Sequence, residues 1–496
     1  MKPRSFLILA AVLLLIGLGL RFIDLTDAPF DFSATRQLRA AIITRGIYYL
    51  NLPEATDAQR QTAIALREAI VDYEPSIFET LVAATWRITG QQELWFARVY
   101  AILFWGVGAA ALAAAARRLA SPGAALVALA YMLFLPFAVI GSRSFQPEPL
   151  MVMFLCLAIW AALGWSEEKT WKYALLAGLF GALAAMAKLF AAYMVAGMML
   201  AVVWQALGLR TAFRNRQVWA MAALMLLPNL AIYFLGRAGF AGGYFQAWFL
   251  SLAGMLFTPE FYVRWALWLG ELVGLAFVFM GLFGMTLARQ PGRALLLGLW
   301  VGYGLYGMFV PHQTITHDYY HLQLVPLIAL SLAPLAEPLL AKLAAQPRPW
   351  QTLAAVVALA AVALPGWLAR SQLLAVDYRN DPEYWISVGA RIPEGTKVVA
   401  LTQQYGYPIS FYGWKRVNLW PLTGELALAE ARGVDERPFD IQWAQYTEGM
   451  DLFLVTTTNQ LERQPELRDH LYNNYAIYDE VEGAFILFDL RQPLNP

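Results

Sequence analysis

About eleven apolar stretches long enough to cross a bilayer follow one another along this chain, at about 5–22, 99–116, 122–141, 149–165, 173–187, 190–207, 218–236, 265–287, 294–310, 322–341 and 351–369. A hydrocarbon core offers no water to backbone N–H and C=O groups, so a chain patterned this way folds as a bundle of helices. The charges obey the same constraint. They make up 14% of the residues, against about 25% in ordinary soluble domains. They cluster in 21–98, in short clumps between the apolar runs, and after Arg370. A charge at the bilayer centre costs at least ~2.5–3.5 kcal/mol. The net charge of +1 leaves no electrostatic footprint for nucleic acid. The single cysteine, Cys156, excludes an intrachain disulfide.

Positive charge sets the topology. Lys2/Arg4, Arg117/Arg118, Lys169/Lys172, Arg210/Arg214/Arg216, Arg289/Arg293 and Lys342/Arg348 fall in alternate loops, as eleven spans with a cytoplasmic N-terminus require. The pair 173–187 and 190–207 could instead be one long tilted helix, but that would put the next three basic clusters outside. The first span has a basic leader and no small-residue cleavage site before Arg21, so it is expected to be retained.

The expected organisation is a transmembrane domain over 1–370, with a long first extracytoplasmic loop at 21–98, and a C-terminal soluble α/β domain over 371–496. A loop of the first one's length needs structure of its own. Residues 33–49 and 58–71 place isoleucine and leucine against arginine and read as amphipathic helices lying in the interface. Pro75 opens a further helix closed by Gly90. In the C-terminal domain 381–391 and 464–472 read as helices, and 397–401, 416–419, 452–456 and 484–490 as strands. No phosphate-cradling glycine motif occurs there, so no nucleotide site is indicated.

Such a shape fits a transporter, a channel or a membrane-embedded enzyme. Ionisable residues within the spans are few: Glu271, Glu337 and Lys188. Polar residues concentrate on one face, in the first loop and in the 142–148 and 311–321 loops, which favours a site at the membrane surface. Glycosyl transfer to a hydroxyl needs a carboxylate to accept the nucleophile's proton and cations to stabilise a phosphate leaving group. Asp31, Arg36 and Arg39 supply both kinds within nine residues, while Glu74 lies just before a helix start, where it could equally complement the helix dipole. Arg143 and Glu148 flank a tight turn; Arg143 either anchors at head groups or binds phosphate. Lys188 is costly unless it reaches phosphate or water. His317 and His321 are spaced to share a helical face, with Asp318 beside them, and either ligate a metal or anchor a helix end alongside Tyr319 and Tyr320. The Trp and Phe residues of 245–268 read as an interfacial belt.

These residues resemble a known family. DFSATRQLRAAIITRG at 31–46 is similar to the start of the first periplasmic loop of bacterial GT-C glycosyltransferases, the protein O-mannosyltransferase-like and aminoarabinose-lipid-transferase-like proteins. YEPSIFETLVAATWRITG at 73–90 with LWFAR at 94–98, SRSFQPEP at 142–149, GLFGALAAMAK at 178–188 and HDYYHLQLVP at 317–326 resemble further family patterns in the same order. The resemblance covers about 20–330. It implies a large extracytoplasmic cavity in which a sugar passes, with inversion, from a polyprenyl-phosphate donor to an acceptor hydroxyl in a bacterial cytoplasmic membrane. It further implies Asp31 as catalytic base, Glu74 as a second acid, Arg36, Arg143 and Lys188 as donor-phosphate ligands, and Arg39, Glu148, His317, Asp318, Tyr319 and Tyr320 as cavity lining. Two departures stand out. Relatives carry an acid just before the Thr-Arg pair, where this chain has Ser33 and Ala34, and some carry a lysine where this chain has Pro75. With no Asp-x-Asp in the first loop, no metal or other cofactor is expected. The alternatives are a transporter or flippase, and a catalytically silent homologue that binds lipid-linked sugar. The enzyme reading requires one-sidedness. A membrane-impermeant thiol reagent should reach cysteines placed near residue 31 and near residue 317 from the same side, and labelling from opposite sides would exclude it.

Overall fold

A computed structural model describes residues 3–235, 240–434 and 437–494, without the side chains of 240–242; Lys2 and residue 236, both used above, lie outside the described residues. The chain divides into two compact units, each discontinuous in sequence. The first comprises 1–26, 73–78 and 95–376, and the second 27–72, 79–94 and 377–496.

The first unit is helical throughout. Helix occupies all eleven apolar stretches, and among the described residues seven helices are long and apolar enough to cross a membrane. Pro3–Leu20, Arg216–Leu235 and Arg348–Leu373 expose most of their surface as leucine, isoleucine, valine and tryptophan, a face that suits lipid and not water. Glu148–Glu168 is the most enclosed. The chain is a multi-pass membrane protein.

Where helices break, the breaks have local causes. Leu135 leaves the helical region before Pro136 and divides Pro122–Phe134 from Pro136–Gly141. Pro228 inside Arg216–Leu230 is followed by a widened turn at Ala231–Leu235, and Asn229 donates to the carbonyls of Met225 (2.9 Å) and Ala182 (3.2 Å). The chain also breaks at Lys188, which is extended, so Trp171–Ala187 and Ala191–Ala212 are two helices. The stretch 265–287, expected as one span, is instead Pro259–Leu272 and Leu275–Leu287, bent by 96°. Gly274, at φ +79°, permits the bend, and the Tyr131 hydroxyl donates to the Val273 carbonyl at 2.9 Å. Counting that pair as one span raises the total to eight. Trp171–Ala187 and Pro122–Phe134 are apolar but shorter than the rest.

Three arginines fix the exit of the first helix. Arg21, fully buried, donates to Ser142 Oγ (2.6 Å) and to the carbonyls of Gly17 (2.6 Å) and Leu133 (2.9 Å). Arg98 donates to the carbonyls of Asp24 (3.2 Å) and Leu25 (2.9 Å), and Arg143 to those of Ile23 and Asp24. The backbone groups a helix end leaves unpaired are thus met by charged donors, among the stronger hydrogen bonds available.

The second unit is built on a five-stranded sheet of order β2-β1-β3-β5-β4, with β1 at Val398–Leu401, β2 at Val417–Leu419, β3 at Leu452–Val455, β4 at Tyr475–Val481 and β5 at Phe485–Pro493. β1 runs parallel to β2 and β3, and β5 antiparallel to β3 and β4. β1 and β3 are buried at every position, which explains their unbroken apolar runs. Helix Asp381–Arg391 covers one face and Pro465–Asn474 the other.

Helices Ala34–Leu50 and Asp57–Glu68 also belong to this unit, packing Ile42, Ile43, Leu66 and Ile70 with Tyr407 and Phe411. Asp57–Glu68 has the expected amphipathic pattern and begins with a capping box from Thr56 and Gln59. Ala34–Leu50 differs from the expected interfacial helix because it is buried on most sides, arginines included. Arg45 lies between Phe411 and Trp414, 4.0 and 4.2 Å from their ring centroids, and donates to the Phe411 carbonyl. Burial pushes its pKa down to about 9, partly offset by Tyr49 and Tyr412, so it stays charged at neutral pH. Cation–π contact and a carbonyl acceptor replace the water it loses.

Helices Ala191–Ala212 and Gly292–Phe309 approach closely through glycine. A Cβ on Gly302 would stand 2.7 Å from Met194 Cα and 2.9 Å from the Tyr193 carbonyl carbon, whereas one on Gly304 would meet nothing within 4 Å. Gly302→Leu is expected to lower stability in detergent by about 1–3 kcal/mol. Gly304→Leu should leave the thermal unfolding midpoint unchanged.

Candidate active site

The first unit brings several sequence-predicted residues together around Lys188. The break between two apolar helices places this lysine where its side chain is 5% exposed. Its Nζ pairs with Glu148 Oε1 and lies 4.3 Å from the Tyr320 ring centroid and 4.8 Å from that of Tyr319. Glu148, fully buried, opens helix Glu148–Glu168, where the helix dipole favours a carboxylate. Its Oε2 is buried with no hydrogen-bond partner among the described residues. One carboxylate oxygen and two aromatic faces thus surround one ammonium.

The tyrosines extend outward through rings in contact. Phe190 touches Tyr320, Tyr306 and Tyr244 at 5.7–6.0 Å between centroids, and Tyr244 touches Tyr73, the residue before Glu74. Tyr306 stacks on Tyr320 with ring planes 10° apart. His317 lies against Tyr319 and Tyr320, and its Nδ1 is 2.7 Å from Thr316 Oγ1. Asp318 Oδ1 accepts from the Tyr319 N–H at 2.7 Å and so shapes the turn that presents both tyrosines. Glu148, Lys188, His317, Asp318, Tyr319 and Tyr320 therefore lie together, and Glu74 adjoins them through Tyr73. Sequence reading missed Phe190, Tyr244 and Tyr306. For Tyr306 the available signal was a phenol oxygen inside an apolar stretch, where a polar group is costly without a partner; Phe190 and Tyr244 carried none.

Other predicted residues have different settings. The Arg143 guanidinium, 1% exposed, is directed at the Ile23 and Asp24 carbonyls, an arrangement that positions the backbone. Asp31, Arg36 and Arg39 belong to the second unit. Asp31 Oδ1 accepts from Gln37 Nε2 at 3.2 Å, Arg39 donates to the Val71 carbonyl at 2.6 Å, and Arg36 is half-buried. His321 does not join a metal site with His317. It is buried, with Nδ1 2.7 Å from the Tyr303 hydroxyl and Nε2 2.8 Å from the Thr314 carbonyl, so both ring nitrogens are already engaged. Among the described residues no group of His, Cys, Asp and Glu side chains is arranged to hold a metal ion.

The sequence profile of the dolichyl-phosphate-mannose-protein mannosyltransferase family matches residues 74–234, a segment that contains Glu74, Glu148 and Lys188. ArnT from Cupriavidus metallidurans in the apo state superposes with a TM-score of 0.57 at 14% identity, covering 96% of this chain and 97% of that one. ArnT bound to undecaprenyl phosphate gives 0.56 at 13%, covering 98% of each. The chain shares the fold of these proteins. The archaeal oligosaccharyltransferase AglB from Archaeoglobus fulgidus, in complex with an inhibitory peptide and a dolichol-phosphate, shares the GT-C fold with a TM-score of 0.58 at 12% identity, covering 99% of this chain and 75% of that one. No curated protein is similar enough in sequence to count as a relative. At 12–14% identity the GT-C fold persists because burial and helix patterning tolerate wide substitution.

Within the first unit the Lys188–Glu148 pair makes a sharp demand on folding. Removing one partner of a buried ion pair costs about 3–5 kcal/mol, because the other charge stays behind. Lys188→Met alone should lower the thermal midpoint in detergent, and adding Glu148→Gln should recover most of the loss.

Proposed function

We propose that this protein is a membrane glycosyltransferase that moves a sugar from a polyprenyl-phosphate donor to an acceptor hydroxyl. One observation carries the reading: a buried lysine held at a helix break by Glu148, Tyr319 and Tyr320, within the segment that the mannosyltransferase profile matches. The undecaprenyl phosphate bound to ArnT and the dolichol-phosphate bound to AglB add support for the donor class. The acceptor oxygen attacks the anomeric carbon as the bond from that carbon to the phosphate oxygen breaks. The electron pair leaves on the phosphate, which departs as polyprenyl phosphate, and the hydroxyl proton passes to a carboxylate. The single displacement inverts the anomeric centre.

Lys188 is the residue assigned to the phosphate. Its ammonium is a compact point charge that an incoming phosphate oxygen can share with Glu148. Glu148 holds the ammonium in place and restrains its charge until an anion arrives. Asp31 is assigned as base and Glu74 as second acid, with Arg36 a further phosphate ligand; these assignments rest on the family resemblance. Arg143 supports the 23–24 segment from behind. The alternation of basic loops supports an N-terminus inside and a reaction on the extracytoplasmic side, and the family resemblance supports a bacterial cytoplasmic membrane.

Purified protein reconstituted with radiolabelled polyprenyl-phosphate sugars tests this. Asp31→Asn is expected to reduce transfer by about 10²–10⁴-fold, the usual range for loss of a general base, with folding intact. The folded Lys188→Met/Glu148→Gln double variant should transfer nothing measurable. Full activity in Asp31→Asn would remove that residue as base. Full activity in the double variant would remove the phosphate assignment.

A further inference from the structure

The second unit contains a cavity of about 420 Å³ beside the carboxyl ends of β1 and β2. Open α/β sheets take ligands outside the strand carboxyl ends, where the strand order reverses. Here β2 lies on one side of β1 and β3 on the other, and the cavity takes Thr402 from just after β1 and Trp420 from just after β2. Its size falls in the range of small-molecule sites.

The backbone at the rim is strained. Gln404, Tyr405 and Gly406 are all left-handed, at φ +55°, +54° and +65°. A tyrosine there is disfavoured, and such strain gathers at ligand clamps. Tyr405 as a residue is 53% exposed.

The lining mixes apolar Leu419, Trp420 and Leu422 with hydroxyl and amide side chains, and carries no net charge. Gln460 Oε1 accepts from both the N–H and the hydroxyl of Thr423 at 3.1 Å, which fixes that wall. Gln404 Oε1 is buried with no protein donor among the described residues, an uncommon state for a buried acceptor. Arg463 and Glu425 bring opposite charges to the lining. Helix Thr423–Ala431 also starts here, but Glu425 Oε2 already accepts from Leu422 N–H at 2.9 Å, so its positive end is met by a carboxylate. Hydroxyls, amides and an aromatic rim with cancelled charge suit a polyhydroxylated neutral ligand better than a phosphate.

We propose that this cavity binds a neutral saccharide, with the Tyr405 ring against a sugar face and Gln404 and Arg463 hydrogen-bonded to its hydroxyls. A phosphate gains nothing from a charge-balanced lining. Binding here requires neither the lipid donor nor the transfer step.

The test uses the full chain in lipid nanodiscs, free of glycoside detergent, titrated calorimetrically with neutral hexoses, N-acetylhexosamines, pentoses and their disaccharides. Glucose 1-phosphate and inorganic phosphate serve as anionic probes. At least one neutral saccharide should bind, and Arg463→Ala and Tyr405→Gly should each weaken it about ten-fold or more. Tyr405→Gly should hold or raise the thermal midpoint, since glycine accepts the left-handed conformation, so weaker binding could not be blamed on unfolding. The Lys188→Met/Glu148→Gln variant should bind the saccharide as the parent does, which separates this site from the transfer reaction. The proposal is overturned if no neutral saccharide binds, if only the phosphates bind, if both cavity variants bind normally, or if the double variant loses binding.

Discussion

Hydrocarbon cannot hydrogen-bond, and the first unit follows from that limitation. Helices satisfy their own backbone groups, so among the described residues the apolar stretches are helical apart from short breaks. Side chains meet backbone carbonyls near several breaks: Asn229 those of Met225 and Ala182, Tyr131 that of Val273, and Arg21, Arg98 and Arg143 those at and just beyond the end of the first helix. These arginines are nearly completely buried, a costly condition that several carbonyl acceptors offset. Their role is to fix where the backbone goes, and this explains why charged residues persist in a chain that otherwise avoids them.

The same limitation shapes the chemistry proposed for Lys188. An ammonium out of water needs a counter-charge, and Glu148 supplies one while two tyrosine rings present their negative faces. In water such a pair would be worth little. Buried, it is a poor source of net stability but a strict constraint on position. A charge held in place before the anion arrives has no reorganisation left to do, the condition under which electrostatic stabilisation of a leaving group is strongest.

The second unit works under ordinary aqueous rules. Its two inner parallel strands are buried on both faces, and its edge strand β4 is mostly exposed and carries Asp479 and Glu480. Residues from the first loop join this unit, and Arg45 is enclosed by Phe411 and Trp414, far away in sequence. Two kinds of polar site result, one organised by a buried ion pair and one by amides and hydroxyls with balanced charge.

The apolar stretches, the break at Lys188, the helix at 381–391 and strands β1, β2, β3 and β5 were legible in the sequence because each carries its cause locally, as hydropathy, a proline or a short run of β-branched and other apolar residues. β4 was not, since an exposed edge strand reading YAIYDEV leaves no alternating pattern. The 96° bend at Gly274 was hidden because its apolar flanks look like one continuous span. For the site, sequence supplied Lys188, Glu148, Tyr319 and Tyr320 as separate candidates, but not that one lysine touches the other three. It also read the helix carrying Arg39 and Arg45 as interfacial, because periodicity places residues on a helix without saying what covers them. The sequence alone determined which segments must leave water. Only tertiary structure decided which buried charge meets which partner, because contacts between distant residues depend on packing that no local pattern records.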